Sequence, residues 1–200
     1  MTEQGLLNYS DDSRRYFLGP FASEMGVAAS RRRELRTACR DALWQLAHES
    51  EDTAFLLGRA GLDTICLDRM EGSYPVKTLL ADIGMRWPLG LGAGGISILS
   101  AMAPGDAEAV IAYNERRIAQ SDGIFEPVSA AQLRERVIEA RSSGGAVTYL
   151  QKATNVYSLA VPVLTAEGRV VAALSVAAIK TRMAAARRKQ LFALLTREAR

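Results

Sequence analysis

Near the carboxyl end, Val156 to Leu164 and Val170 to Ala177 are two β-rich runs joined by the turn Thr165-Ala166-Glu167-Gly168. Runs this close can pair only antiparallel, because a parallel partner requires a crossover of a dozen or more residues. Thr53-Ala54-Phe55-Leu56-Leu57 and Thr64-Ile65-Cys66-Leu67-Asp68 repeat the arrangement, with Gly58-Arg59-Ala60-Gly61 read as a glycine-assisted loop. Ala146 to Tyr149 adds a further β-rich run. Strands that arrive as hairpins exclude strict βαβ alternation. They predict an α+β fold in which helices pack on an antiparallel sheet.

The remaining segments supply a small hairpin and the helices. From Gly5 to Gly19, Leu6-Leu7-Asn8-Tyr9 and Tyr16-Phe17-Leu18 flank Ser10-Asp11-Asp12-Ser13, whose short polar side chains favour a turn. Such a hairpin is marginal alone, so the chain reads as beginning inside a domain. Glu24 to Glu49 is free of proline and carries Leu35, Cys39, Ala42, Leu43 and Leu46 at helical spacing, which predicts one long amphipathic helix. Helices are further predicted over Gly95 to Ala103, Asp106 to Tyr113, Ser129 to Arg141 and Thr181 to Arg200, the last with Met183, Leu191, Leu194 and Leu195 as its apolar face.

Composition narrows the function classes. With 200 residues, 48% hydrophobic and 24% charged, the chain can bury a core and is not disordered throughout. No window is long and apolar enough to span a bilayer, and Met1-Thr2-Glu3-Gln4 lacks the order of a secretory signal, so a cytoplasmic location is expected. Cys39 and Cys66 form no CxxC, and one histidine, His48, cannot build a multi-histidine metal cage. The 25 basic and 22 acidic residues nearly cancel. Basic clusters at Arg31-Arg32-Arg33 with Arg36, and at Arg187-Arg188-Lys189, read as solvated helix faces.

Two groups of residues are candidates for chemistry. Gly90, Gly92 and Gly95 satisfy GxGxxG, yet Met85-Arg86-Trp87-Pro88 carries a charge and a proline where a buried strand should precede it. What survives is a glycine-rich approach to a helix start, whose unpaired N–H groups suit an anion or carbonyl. Tyr149, Tyr157, Ser158 and Ser175 are polar-tipped residues on or beside the carboxyl-terminal strands, and Trp87 is a large apolar residue before the glycine loop.

The residues also carry a resemblance. Tyr16-Phe17-Leu18-Gly19 is similar to the end of the wing in regulators of the IclR (isocitrate lyase regulator) family. Ile65-Cys66-Leu67-Asp68-Arg69, Gly84-Met85-Arg86-Trp87-Pro88-Leu89, Gly95-Ile96-Ser97-Ile98-Leu99-Ser100, Ser158-Leu159-Ala160-Val161-Pro162-Val163 and Ala173-Leu174-Ser175-Val176 resemble further family patterns, in the family's order. The resemblance implies a GAF-like (profilin-like) effector-binding domain over residues 51–200, a linker helix over 21–50 and a remnant of the winged-helix wing over 1–20. The helix-turn-helix that precedes the wing in the family is missing, so operator DNA should be read only by the intact regulator, as a homodimer or tetramer. Arg14 and Arg15 on the wing would give only weak, salt-sensitive attraction.

Carried over position by position, the family pattern implies an effector site with Val76, Leu79 and Trp87 as apolar wall and Ala93 and Gly94 as backbone donors. Tyr149, Tyr157 and Ser175 are its strand-side polar groups. No catalytic residue, metal or cofactor is expected. This chain has Tyr149 where some members are acidic, Ala177 at a hydroxyl position and Ile96 at a common lysine. An aromatic or extended apolar effector with one carbonyl or carboxylate is therefore expected. Two other classes stay open: a GAF-like small-molecule enzyme using a cysteine, and a ligand-free oligomerisation scaffold.

Overall fold

A computed structural model describes residues 2, 4–28, 30–120, 125, 127–150 and 155–200, with the side chains of 26–32 left out. Part of the Arg31-Arg32-Arg33 cluster thus lies outside the described residues. The chain divides into two compact units, Met1–Cys39 and Arg40–Arg200.

The first unit opens with the hairpin of β1 (Leu7–Ser10) and β2 (Arg15–Leu18), in which Tyr9 faces Tyr16 with ring centroids 5.0 Å apart. The reversal holds Arg14 at φ 52°, and the Ser13 N–H donates to Ser10 Oγ at 3.3 Å, as the sequence led one to expect of short polar residues. Helix α1 (Pro20–Ala28) begins on a proline, whose fixed φ suits a first helical turn, and α2 (Ser30–Ala38) follows. The predicted single helix over 24–49 is therefore divided. A turn at Cys39 separates α2 from α3 (Arg40–Ser50), although the Cys39 N–H still donates to Leu35 O at 3.0 Å. Leu43 and Leu46, which fit the same stripe as Leu35, are buried within the second unit.

The second unit is built on a six-stranded antiparallel sheet. Its strands are β3 (Thr53–Ala60), β4 (Asp63–Met70), β5 (Arg86–Pro88), β6 (Ala146–Leu150), β7 (Val156–Leu164) and β8 (Val170–Ile179), in the order β5-β4-β3-β8-β7-β6. Of the loop predicted at 58–61, residues 58–60 are instead strand. Ala60 pairs with Asp63, so the reversal is a two-residue turn starting at Gly61, which has φ +68°. Gly58 continues the strand because a Cβ there would lie 2.7 Å from Leu67 Cδ1. Strand β5 escaped the sequence reading because Arg86 and Pro88 argue against a central strand; it is an edge strand, where proline is tolerated.

Helices cover both faces. On one side lie α3 and α7 (Ala185–Glu198); on the other α4 (Gly92–Ala101) crosses β7 and β8 and packs on α6 (Ala130–Ser143), with α5 (Pro104–Ala119) outside it. Helix α6 starts on a capping box between Ser129 and Gln132 and stops at Gly144, whose φ of +81° closes the last turn. The α4 side holds the main apolar cluster, including Phe55, Leu57, Trp87, Leu89, Ile96, Ile98, Leu99, Ile118 and Leu133. On the other side the carboxylate of Asp52, 4% exposed, accepts from Arg182 Nε at 2.8 Å and from an Arg187 terminal nitrogen at 2.9 Å. That buried charge is thereby compensated from α7 and from the 3-10 turn Lys180–Arg182.

Candidate functional site

Strand alternation decides which polar groups can share a site. Ala146, Thr148 and Leu150 of β6 are buried on the α4 face. Thr148 pairs with Ser158 in β7, and the Ser158 and Ser175 hydroxyls are 3.0 Å apart across β7 and β8. A row of hydroxyls thus crosses three adjacent strands beneath α4. Ser175 is 1% exposed and sits opposite Phe55 of β3.

Helix α4 brings a second kind of donor. Its first residue is Gly92, three positions earlier than predicted, and no side chain caps its amino end. The first N–H groups of a helix have no partner inside it, so Gly92, Ala93 and Gly94 present amides with partial positive charge. Ala93 and Gly94 are both buried. Glycine is required at Gly94 because a Cβ would lie 2.2 Å from Leu57 Cδ1, and only the bare backbone lets α4 seat this close to β3. The glycines of GxGxxG therefore serve a helix docked on an antiparallel sheet, not a parallel dinucleotide-binding unit.

Trp87 stands at this helix start. Its indole Nε1 donates to Leu91 O at 3.1 Å, and its ring lies 5.2 Å from that of Phe125. Phe125 in turn covers Gly92, where a Cβ would meet the Phe125 ring at 2.7 Å. A cavity of about 240 Å³ lies between this corner and β6, lined by Leu91, Gly92, Phe125, Thr148 and the sequence-predicted Tyr149, with Arg136 and Glu139 of α6 also on its wall. Three buried hydroxyls, Thr64, Ser97 and Thr148, have no hydrogen-bond partner among the described residues. Leaving a buried hydroxyl unpaired costs about 1–3 kcal/mol, and such groups occur where a ligand completes them.

The structure brings together only part of the sequence-predicted set. Trp87, Ala93, Gly94 and Ser175 all lie on the α4 side, outside the lining of this cavity. Val76 and Leu79 are 50% and 58% exposed and stand outside the buried cluster, into which the same segment sends Leu80 and Ala81. That segment has no regular structure, so no periodicity identified its inward residues. The side chains of Tyr149 and Tyr157 point to the opposite face of the sheet. Their rings stack at 4.6 Å, Arg188 of α7 lies 4.9 Å over Tyr157, and Lys180 lies 5.3 Å over Tyr149. Thr148 and Phe125 were missed. The signal for Thr148 was its parity with Ala146 and Leu150; Phe125 follows no sequence pattern.

Nothing in the site provides an activated nucleophile. Burial pushes the Cys66 thiol up to about 11, and it also raises that of Cys39. Among the described residues no three or more His, Cys, Asp or Glu gather to hold a metal, and no helix is long and apolar enough to cross a membrane.

Residues 27–200 match the family model described as bacterial transcriptional regulator IclR C-terminal. The chain belongs to this family, one of transcriptional regulators and not of enzymes. It is 28% identical over 182 residues to the HTH-type transcriptional regulator KipR of Bacillus subtilis (strain 168), covering 91% of this chain and 71% of that protein. Among solved structures it resembles the Thermotoga maritima IclR, with a TM-score of 0.76 at 22% identity over 99% of this chain and 78% of that one. It also resembles an IclR homolog from Microbacterium hydrocarbonoxydans complexed with 4-hydroxybenzoate, with a TM-score of 0.79 at 20% identity over 100% of this chain and 78% of that one.

Proposed function

We propose that this chain is the effector-sensing portion of an IclR-type regulator, and that it holds a small organic acid or carbonyl compound with an apolar, preferably aromatic, body. The single observation that carries this reading is the pairing of an uncapped, buried helix start at Ala93 and Gly94 with the hydroxyl row Thr148, Ser158 and Ser175, in which Thr148 lacks a partner. A carboxylate or carbonyl oxygen accepts from the α4 amides, and a second polar atom of the ligand completes Thr148 or the Ser158–Ser175 pair. Trp87 and Phe125 supply apolar and aromatic contact. Arg136 and Glu139 both line the cavity beside Thr148 and oppose each other in charge, so a small dicarboxylate would gain no net compensation for its second charge.

The 4-hydroxybenzoate carried by one structural neighbour has this chemistry: one carboxylate, one ring and one hydroxyl. In the intact regulator, occupancy of the site modulates operator binding by a winged helix, in a homodimer or tetramer held in part by the helices between residues 21 and 50. The wing remnant over 1–20 reads no sequence by itself. The direct test is a thermal-shift screen of aromatic and aliphatic acids followed by calorimetry. A ligand at 100 times its dissociation constant stabilises the chain by about 2.7 kcal/mol. Ring monocarboxylates should shift the melting temperature and small dicarboxylates should not.

A further inference from the structure

A second cavity on the same unit lies beside the proposed effector site. It has a volume of about 750 Å³ and opens at the β6 edge of the sheet between α6 and α7. Its floor is apolar: Ile96, Ala140, Ala146 and Leu159 are all at most 4% exposed, and Phe192 leans over them, its ring 2.7 Å from where a Cβ on Gly145 would lie. Its mouth is basic. The cluster Arg187-Arg188-Lys189, read from sequence as one solvated face, separates into three tasks. Arg187 turns away to Asp52, Arg188 lies over Tyr157 while also lining the cavity, and Lys189 lines the mouth together with Arg136 of α6 and Arg200. Neither Lys189 nor Arg136 makes an ion pair among the described residues, and Arg197 at the same rim is tied to Glu49 and Glu198. Glu139 is the one acidic residue of the lining.

We propose that this cavity is a second ligand site, for an amphipathic organic anion whose unbranched apolar tail covers the floor and whose carboxylate or phosphate head lies between Arg136 and Lys189. The volume suits a ligand of that size, and the charge imbalance at the rim selects the sign of the head. A second copy of the chain would need an acidic protrusion to satisfy the same two cations. The two cavities adjoin, with Arg136, Glu139 and Val147 on both linings, but none of the hydroxyl row or the α4 amides lines this one, so Ser175→Ala separates the two readings.

The test uses the full chain and anilinonaphthalenesulfonate as fluorescent probe, displaced by decanoate, decyl phosphate or decanol. Decanoate or decyl phosphate should displace the probe and decanol should not; the better of the two anions names the head group. The double variant Arg136→Glu and Lys189→Glu should weaken anion binding by about tenfold or more. Ala193→Trp, at an exposed position on the cavity wall, should abolish it without lowering the melting temperature. Ser175→Ala should leave it unchanged. Equal displacement by decanol, no displacement by either anion, or loss of binding in Ser175→Ala would each overturn the proposal. So would a parent dimer that only Ala193→Trp dissociates, because the cavity would then be a contact between copies.

Discussion

The two faces of the central sheet bury polar groups in opposite ways. Under α3 and α7 the polar interior is ionic and closed: Asp52 is held by Arg182 and Arg187, Arg182 also stacks on Tyr74 at 3.8 Å, and Arg187 Nε has no partner among the described residues. Under α4 the polar interior is neutral and open, with hydroxyls that include Thr64, Ser97 and Thr148 unpartnered and a helix start that lacks a cap. The first arrangement fixes α7 to the sheet. The second leaves hydrogen-bonding capacity unspent inside a packed core, which is tolerable only where an incoming group uses it. In the proposed reading, one sheet thus separates holding the fold from sensing a ligand.

The largest effect should come from breaking the ionic face. Asp52→Ala leaves the partly buried guanidinium groups of Arg182 and Arg187 without their shared carboxylate, and urea denaturation should show a loss of about 3 kcal/mol. Thermal unfolding of Gly94→Ala should show about 1–3 kcal/mol of destabilisation, because the new methyl overlaps Leu57 and lifts α4 from β3. On the open face, Ser175→Ala should weaken the effector by about 0.5–3 kcal/mol in calorimetry. If that variant binds like the parent, the hydroxyl row is only structural.

The thiols sharpen the comparison through pH. The folded state raises the Cys66 pKa to about 11 from 9.0, so it favours the protonated thiol. The stabilisation is fully present below pH 9 and is lost as pH rises from there through about 11, because the unfolded chain ionises first. Denaturation midpoints should fall over that window, and less so in Cys66→Ala. Both thiols should resist a disulfide reagent at neutral pH in the native state; fast reaction would revive the cysteine-enzyme alternative. The smallest effect should belong to Tyr157→Phe, which lies on the far face and should leave effector affinity unchanged.

The hairpins were legible because turn residues and β-rich runs are local signals, and so were the helices that carry caps of their own. Positions of partners were less so. Strand β5 carries a charge and a proline and becomes a strand only because β4 offers an edge. The division at Cys39 reflects packing of Leu43 and Leu46 on their own unit. In the site, the structure brings Trp87, Ala93, Gly94 and Ser175 to the α4 side, whereas the Tyr149 and Tyr157 rings stack on the opposite face, following the period-two alternation of Ser158 and Ala160. Val76 and Leu79 lie in irregular chain, where the inward residue is set by tertiary contact alone.

The central claim is that the ligand lies on the α4 face. It is tested most directly by amide chemical shifts of the nitrogen-15-labelled chain during titration with a ring monocarboxylate found by the thermal-shift screen. A ligand on the α4 face should give the largest shifts at Ala93 and Gly94, followed by Thr148, Ser158 and Ser175, with Tyr157 and helix α7 unmoved. Shifts concentrated at Tyr149, Tyr157 and α7, with Ala93 and Gly94 unchanged, would contradict it.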